Sequence, residues 1–260
     1  MFMTSLCKEY YQFFLAEGFL LGVGIAFLFC PAMATVPLHF KVNRGLALGI
    51  VVSGSSLGGV IWPIALKKLL AEVGFAWTVR IAGFMMLALT GLACLTIRTP
   101  VNPATSSSSQ PQRRLIDTSL FKKPTLILMS VSLAFIYMGL FSPFFYVTPY
   151  TVSLGLDANI AFYMISILNA ASLFGRILPG ILADWYGPVN IFNFATASSF
   201  IIIFCWTKAT SIAGIAVFSL AYGFFSGAVV SLMGACAIQS VEPAQYGAAI
   251  GFAMSALSIG

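Results

Sequence analysis

Residues 158–187 read ANIAFYMISILNAASLFGRILPGILADWYG, and Arg176 is the only charged residue between Asp157 and Asp184. A helix over 158–183 is long enough to cross the ~30 Å hydrocarbon layer of a bilayer at roughly 1.5 Å per residue. A charge inside such a span costs roughly 2.5–3.5 kcal/mol or more, so it faces a partner or a wet cavity. Asn169, Ser172, Gly180 and Ala183 fall on the same helical face as Arg176 by the 3.6-residue period. That polar stripe is expected to point into a bundle. A planar guanidinium suits bidentate binding of a carboxylate, which makes Arg176, Asn169 and Ser172 candidate substrate contacts. The alternative is snorkelling of Arg176 toward the helix end that carries Asp184.

The rest of the chain agrees with a lipid environment. Of 260 residues, 60% are hydrophobic and 8% charged, against roughly 25% charged in soluble domains. The mean hydropathy is +0.98. The net charge of +6 resides mostly in short connectors, where it sets membrane orientation rather than attracting nucleic acid. Cys7, Cys30, Cys94, Cys205 and Cys236 are scattered without a CxxC pair, so neither a metal site nor a disulfide framework is expected. MFMTSLCKEYYQ at the start lacks the pattern of a cleaved signal. The single histidine, His39, and seven dispersed acids form no catalytic constellation, and neither HExxH, a Walker loop nor GxSxG occurs. No enzyme activity and no cofactor are expected.

The fold class expected is therefore all-α, a polytopic membrane helix bundle. Spans are placed at about 13–39, 45–66, 78–97, 124–152, 158–183, 189–207, 211–240 and 246–260. Residues 99–123, TPVNPATSSSSQPQRRLIDTSLFKK, are rich in Pro, Ser and charge and read as a flexible linker between two blocks, 1–98 and 124–260. Pro143 and Pro149 predict a kink or break in the fourth span. If the linker is cytoplasmic, Lys41, Arg44, Arg98, Arg113, Arg114, Lys122 and Lys123 lie inside, and Lys8, Lys67, Lys68, Arg80 and Lys208 outside. The bias of seven to five follows the positive-inside rule.

An internal repeat links the blocks. GLALGIVVSGSSLG at 45–58 matches GAAIGFAMSALSIG at 247–260, offset by 202 residues, with six of fourteen positions identical. The second span then corresponds to the eighth and the first to the seventh. Parallel halves of six helices are expected, with about eight of twelve represented here. Small residues recur four apart at Gly18/Gly22, Gly45/Gly49, Gly54/Gly58, Gly223/Gly227 and Gly247/Gly251. Such spacing lets helix backbones approach closely, as static packing or as a rocking interface. Asp184 reads as a conformational latch, able to cap a helix or pair with a basic connector residue. Aromatic clusters at Phe141, Phe144, Phe145, Tyr146 and Tyr150, and at Tyr222, Phe224 and Phe225, are core, lipid-facing or pocket-lining.

Several of these stretches resemble one family. His39-Phe40-Lys41-Val42-Asn43-Arg44-Gly45-Leu46-Ala47-Leu48-Gly49, with Gly54-Ser55 and Gly58 following, is similar to the connector after the fourth helix of monocarboxylate transporters. Gly175-Arg176-Ile177-Leu178-Pro179-Gly180 through Asp184 resembles their eighth helix, and Gly223-Phe224-Phe225 their tenth. The whole chain looks like helices four to eleven of a fungal member of this branch of the major facilitator superfamily. The resemblance implies secondary-active transport of a small organic anion, a monocarboxylate, by alternating access. It implies Arg176 for the substrate carboxylate, Phe224 and Phe225 for substrate size, Lys41, Arg44, Gly45, Gly49, Gly180 and Asp184 as conformational elements, and the plasma membrane as location. A co-transported proton is the family's coupling ion, but Ser172 stands where proton-coupled members carry an aspartate. Fungal relatives include carriers of larger solutes such as riboflavin. A non-transporting relative of such carriers is the other reading.

Overall fold

The structure, a computed structural model, describes residues 1–40, 42–96, 123–239, 241–242 and 245–257. Among the described residues there are helices and no strands. Six helical stretches are long and apolar enough to cross a membrane.

The first is a continuous thirty-residue run, Tyr10–His39. It comprises α1 (Tyr10–Phe13), a π-helical stretch (Phe14–Leu21) and α2 (Gly22–His39). The second is α3, Arg44–Thr96, whose 53 residues exceed any bilayer crossing. It divides at Gly74, where φ 74° and ψ 174° leave helical space. A positive φ of this kind suits glycine, which has no Cβ to clash. The 45–66 span was expected to stop at Lys67-Lys68. Instead the helix runs on to Gly74, with both lysines exposed near its C-terminal end, where a cation suits the helix dipole and a long aliphatic stem can snorkel.

The remaining elements are α4 (Pro124–Leu140), α5 (Ser142–Ser153), α6 (Ala158–Tyr186), α7 (Pro188–Trp206), α8 (Ile212–Gln239) and α9 (Tyr246–Leu257). The helix expected over 124–152 breaks at Phe141, one residue into the Phe-Ser-Pro step, because Pro143 has no N–H to continue the ladder. Asp157 Oδ1 accepts from Asn159 N at 2.6 Å and starts α6. Gly187, at φ 90°, ends it. The linker placed at 99–123 lies outside the described residues apart from Lys123, as do Arg98 and residues 258–260 of the last span.

The described residues form two compact units, 1–35 with 62–96, and 36–61 with 123–257. In the first, Phe2 meets Phe84 edge-on at 4.9 Å and Phe13 meets Phe75 at 6.0 Å. Arg80 stacks over Trp77 and donates to Ser5 Oγ at 3.1 Å. A cleft of about 420 Å³ there is lined by Glu17, Trp62, Leu66, Phe75, Thr78 and Val79 among others.

The second unit is built on α6 and α8. Their backbones touch through glycines. A Cβ on Gly223 would strike the Leu168 backbone, one on Gly175 the Phe224 carbonyl, and one on Gly227 would lie 2.6 Å from the Ser172 carbonyl. Val147, Met164, Leu168, Ile215, Phe218 and Tyr222 form a core cluster at one end. Trp206, Phe218 and Tyr222 stack there with ring centroids 5.2 and 5.6 Å apart. The Tyr222 hydroxyl donates to the Leu140 carbonyl at 2.7 Å, beside the α4/α5 break. Gly227→Leu is expected to destabilise the purified protein by about 1–3 kcal/mol through overpacking. Gly251→Ala, at a position with open space around it, is expected to be neutral. Thermal melts in detergent, followed by loss of the monodisperse gel-filtration peak, compare the two.

Candidate functional site

The polar face of α6 meets the first turns of α3 in an antiparallel seam. Reading down α3 and up α6, Gly45 lies against Gly180, Gly49 against Arg176, Ser56 against Ser172 and Gly59 against Asn169. A Cβ on Gly45 would lie 2.5 Å from the Gly180 carbonyl, and one on Gly180 would lie 2.6 Å from the Gly45 carbonyl. Cβ atoms on Gly49 and Gly59 would strike the Arg176 carbonyl and the Asn169 amide. The two backbones are thus at contact distance, which the glycines at 45, 49 and 180 permit.

Three polar contacts cross this seam. At one end Asp184 accepts from two backbone amides of α3, Gly45 N to Oδ1 at 2.7 Å and Leu46 N to Oδ2 at 3.0 Å. These are N–H groups of the first helical turn, which have no partner within their own helix. A carboxylate there also lies at the positive end of the α3 dipole. At the other end Ser56 Oγ and Ser172 Oγ are 2.7 Å apart. The Ser172 hydroxyl donates to the Asn169 carbonyl at 2.9 Å, so Ser56 is the donor across the seam.

Between them lies Arg176, only 8% exposed. Its Nη1 donates to the Val52 carbonyl at 2.6 Å and to Ser55 Oγ. Ser55 in turn donates to the Val52 carbonyl at 3.0 Å. The buried Nε has no hydrogen-bond partner. Tyr137 on α4 is within electrostatic reach, and its hydroxyl donates to Met233 Sδ at 2.9 Å. Among the described residues no carboxylate pairs with the guanidinium. Asp184, two turns away on α6, is occupied with α3. A buried cation is normally matched by an anion as well as by hydrogen bonds, and here only neutral acceptors answer it.

This arrangement brings together Asn169, Ser172, Arg176, Gly180, Asp184, Gly45 and Gly49. Arg44 lies at the seam's Asp184 end, donating from Nη1 to Tyr246 Oη at 3.3 Å. Three aromatic candidates lie elsewhere. Tyr146 is 64% exposed on α5, on an outward face of a helix whose buried side is Pro143, Val147 and Thr151. Phe225 packs against Phe194 of α7 at 6.1 Å and against Phe224 at 5.3 Å. Lys41 lies outside the described residues. Ser55, Ser56 and the Val52 carbonyl were not singled out as site residues from sequence. Their signal was the Gly54-Ser55-Ser56 step inside the repeated segment, where two hydroxyls interrupt an apolar helix.

A family description of the major facilitator superfamily matches residues 1–260. The chain belongs to the major facilitator superfamily. It is 57% identical over 259 residues to an agnestins efflux protein of Paecilomyces divaricatus, covering 100% of this chain and 59% of that protein. It is 42% identical over 274 residues to an MFS-type transporter of Aspergillus fumigatus, covering 99% of this chain and 63% of the relative. It is 40% identical over 259 residues to an aspyridones efflux protein of Emericella nidulans, covering 99% of this chain and 52% of the relative. The chain therefore spans between about one half and two thirds of the length of these relatives. Family and relatives together make it a multi-pass membrane protein of a transporter family and not an enzyme.

The two hydroxyls at the seam offer a direct measure of its strength. Ser56→Ala and Ser172→Ala are each expected to lower stability by about 1 kcal/mol or less. The double variant should be less harmful than their sum, with a coupling of about 0.6 kcal/mol, typical of hydrogen bonds between membrane helices. Unfolding in mixed micelles supplies the four free energies required.

Proposed function

We propose that this chain carries the anion-binding seam of an efflux carrier that exports a small organic acid by alternating access. The observation that supports it most is Arg176, a guanidinium buried between two helices with neutral acceptors and an unpartnered Nε. A carboxylate would supply what is missing, a charge and a second pair of acceptor lone pairs in a plane that matches the fork. The relatives' names support export of fungal metabolites as the direction and substrate class. A monocarboxylate is the simplest anion that fits. The blocks 1–98 and 124–260 would then be parts of the two rocking halves, joined by 99–123.

In this reading Ser55 and the Val52 carbonyl hold Arg176 while no substrate is present. An arriving carboxylate displaces them, and the hydrogen bonds that tie α3 to α6 at mid-seam are given up to the substrate. Asp184 on the α3 amides is the latch at the seam's end. Ser172, bonded to Ser56 and the Asn169 carbonyl, has no carboxyl with which to carry a proton, so transport does not depend on protonation at that position. Phe224 and Phe225 influence the size of the substrate through α8 packing and not by lining the seam.

Export of a radiolabelled aromatic carboxylate from preloaded cells, with its methyl ester as the uncharged control, tests the reading. Arg176→Ala is expected to lower export of the acid by about 10- to 100-fold, the range of a lost charge-assisted hydrogen bond, and to leave the ester unaffected. Equal export by wild type and variant would remove Arg176 from the mechanism. Ser55→Ala is expected to lower the KM for the acid several-fold when Arg176 is present and to have no effect when it is not.

A further inference from the structure

Arg44 and Tyr246 are 202 residues apart, the same offset that superposes Gly45 on Gly247 in the internal repeat. They are therefore equivalent positions, each the residue immediately before its copy of the repeated segment. Some local features repeat along with the sequence. Leu48 and its equivalent Ile250 are both fully buried, and so are Ala47 and Ala249 to within a tenth. Ser53 Oγ donates to the Ile50 carbonyl at 2.6 Å, and its equivalent Ser255 donates to the equivalent Phe252 carbonyl at 2.8 Å. The two copies thus share two buried positions and a local hydrogen bond as well as residue types, whereas Gly45 and Ser53 are buried and Gly247 and Ser255 exposed.

Equivalent positions of a twofold arrangement can touch each other only where the axis passes between them. Arg44 Nη1 donates to Tyr246 Oη at 3.3 Å, and a twofold relating the two repeated segments would pass through this bond. For parallel repeats that axis lies along the membrane normal, and the route between the halves follows it. Tyr246 is 4% exposed and is packed into the bundle. Arg44 also donates from Nε to the Phe40 carbonyl at 3.3 Å, so one side chain ties the α2–α3 connector to α9. Beside it the ends of α3, α6 and α8 surround a cleft of about 240 Å³ lined by Arg44, Gly45, Ala183, Asp184, Ile238 and Gln239.

We propose that the Arg44–Tyr246 bond is an axial gate, closing the carrier at the end that the charge bias places in the cytoplasm, and that it parts whenever that end opens. The inference rests on the alternating-access reading above. It adds a closing contact separate from the Asp184 latch. The latch joins α3 to α6 at the side, whereas the gate joins α3 to α9 on the axis. A single hydrogen bond between a guanidinium and a neutral phenol is weak enough to break in each cycle, and the aromatic ring provides the bulk that blocks the path.

The test uses the full chain in inside-out vesicles, with the five native cysteines replaced by serine or alanine and Ser56→Cys as reporter. Ser56 lies 12 residues into α3 from Arg44, roughly 18 Å deeper, and its labelling by a membrane-impermeant maleimide reports separation of α3 from its neighbours. Tyr246→Phe, which removes only the acceptor, and Arg44→Gln are each expected to raise the labelling rate about five- to tenfold. The double variant should match either single, since both remove one bond. Asp184→Asn should raise the rate independently and multiply with Tyr246→Phe. Faster labelling with Asp184→Asn but not with Tyr246→Phe or Arg44→Gln overturns the gate and leaves alternating access standing. No change with any of the three overturns both. Where a variant is not monodisperse, an Arg44→Cys/Tyr246→Cys pair decides. With the Ser56 reporter left out, a bismaleimide long enough to span the former arginine–tyrosine reach should join the two cysteines and arrest export, and cross-linked protein that still exports overturns the gate.

Discussion

A guanidinium among lipid-embedded helices must find acceptors, and in this chain the acceptors come from a different helix. Arg176 on α6 reaches the Val52 carbonyl and Ser55 on α3, and that requirement sets how close the two helices stand. Here the acceptor is met in a seam where the two backbones also nearly touch. Gly45, Gly49 and Gly180 meet that condition by carrying no Cβ at the contact points. Once the backbones are that close, Asp184 reaches the free amides at the start of α3 and Ser56 reaches Ser172. The glycine spacing, the Asp184 contact and the serine pair thus belong to one close seam around the buried charge.

The same α6 helix uses the adjacent face against α8, again by backbone contact, at Gly175, Gly223 and Gly227, with Ser172 shared by both faces. α6 is thus held on one side by apolar close packing and on the other by polar contacts that water or an anion could replace. The first kind has no competitor in the membrane, whereas the second does. The distribution of side chains on α6 thus gives it one interface of each kind.

Much of this was legible in the residues. The isolated Arg176, its stripe of Asn169, Ser172 and Gly180, and the Asp184 turn were visible because a charge or amide in an apolar run violates the local pattern. The helix class followed from run lengths. What could not be read was the identity of the helix opposite the stripe, since Val52 contributes only its backbone carbonyl, which every residue possesses. The aromatic candidates were ambiguous for a related reason. Tyr146, Phe224 and Phe225 have large apolar rings that suit a pocket, a lipid face or a helix–helix contact equally, and only the packing of α7 against α8 separates these. Lys67 and Lys68 suggested a helix end that the chain reaches only at Gly74, because a lysine stem near a C-terminus is compatible with continued helix.

The Asp184 contact has an asymmetry with a genetic consequence. Asp184 is recognised as a side chain, but what it grips on α3 is main chain, the amides of Gly45 and Leu46. Leu46 can drift to almost any residue other than proline without altering the donor it presents, so that partner of the contact is nearly invisible to point mutation. Changes that break this contact therefore concentrate on Asp184 and on Gly45, where any Cβ would meet the Gly180 carbonyl and the Asp184 carboxylate, and spare Leu46.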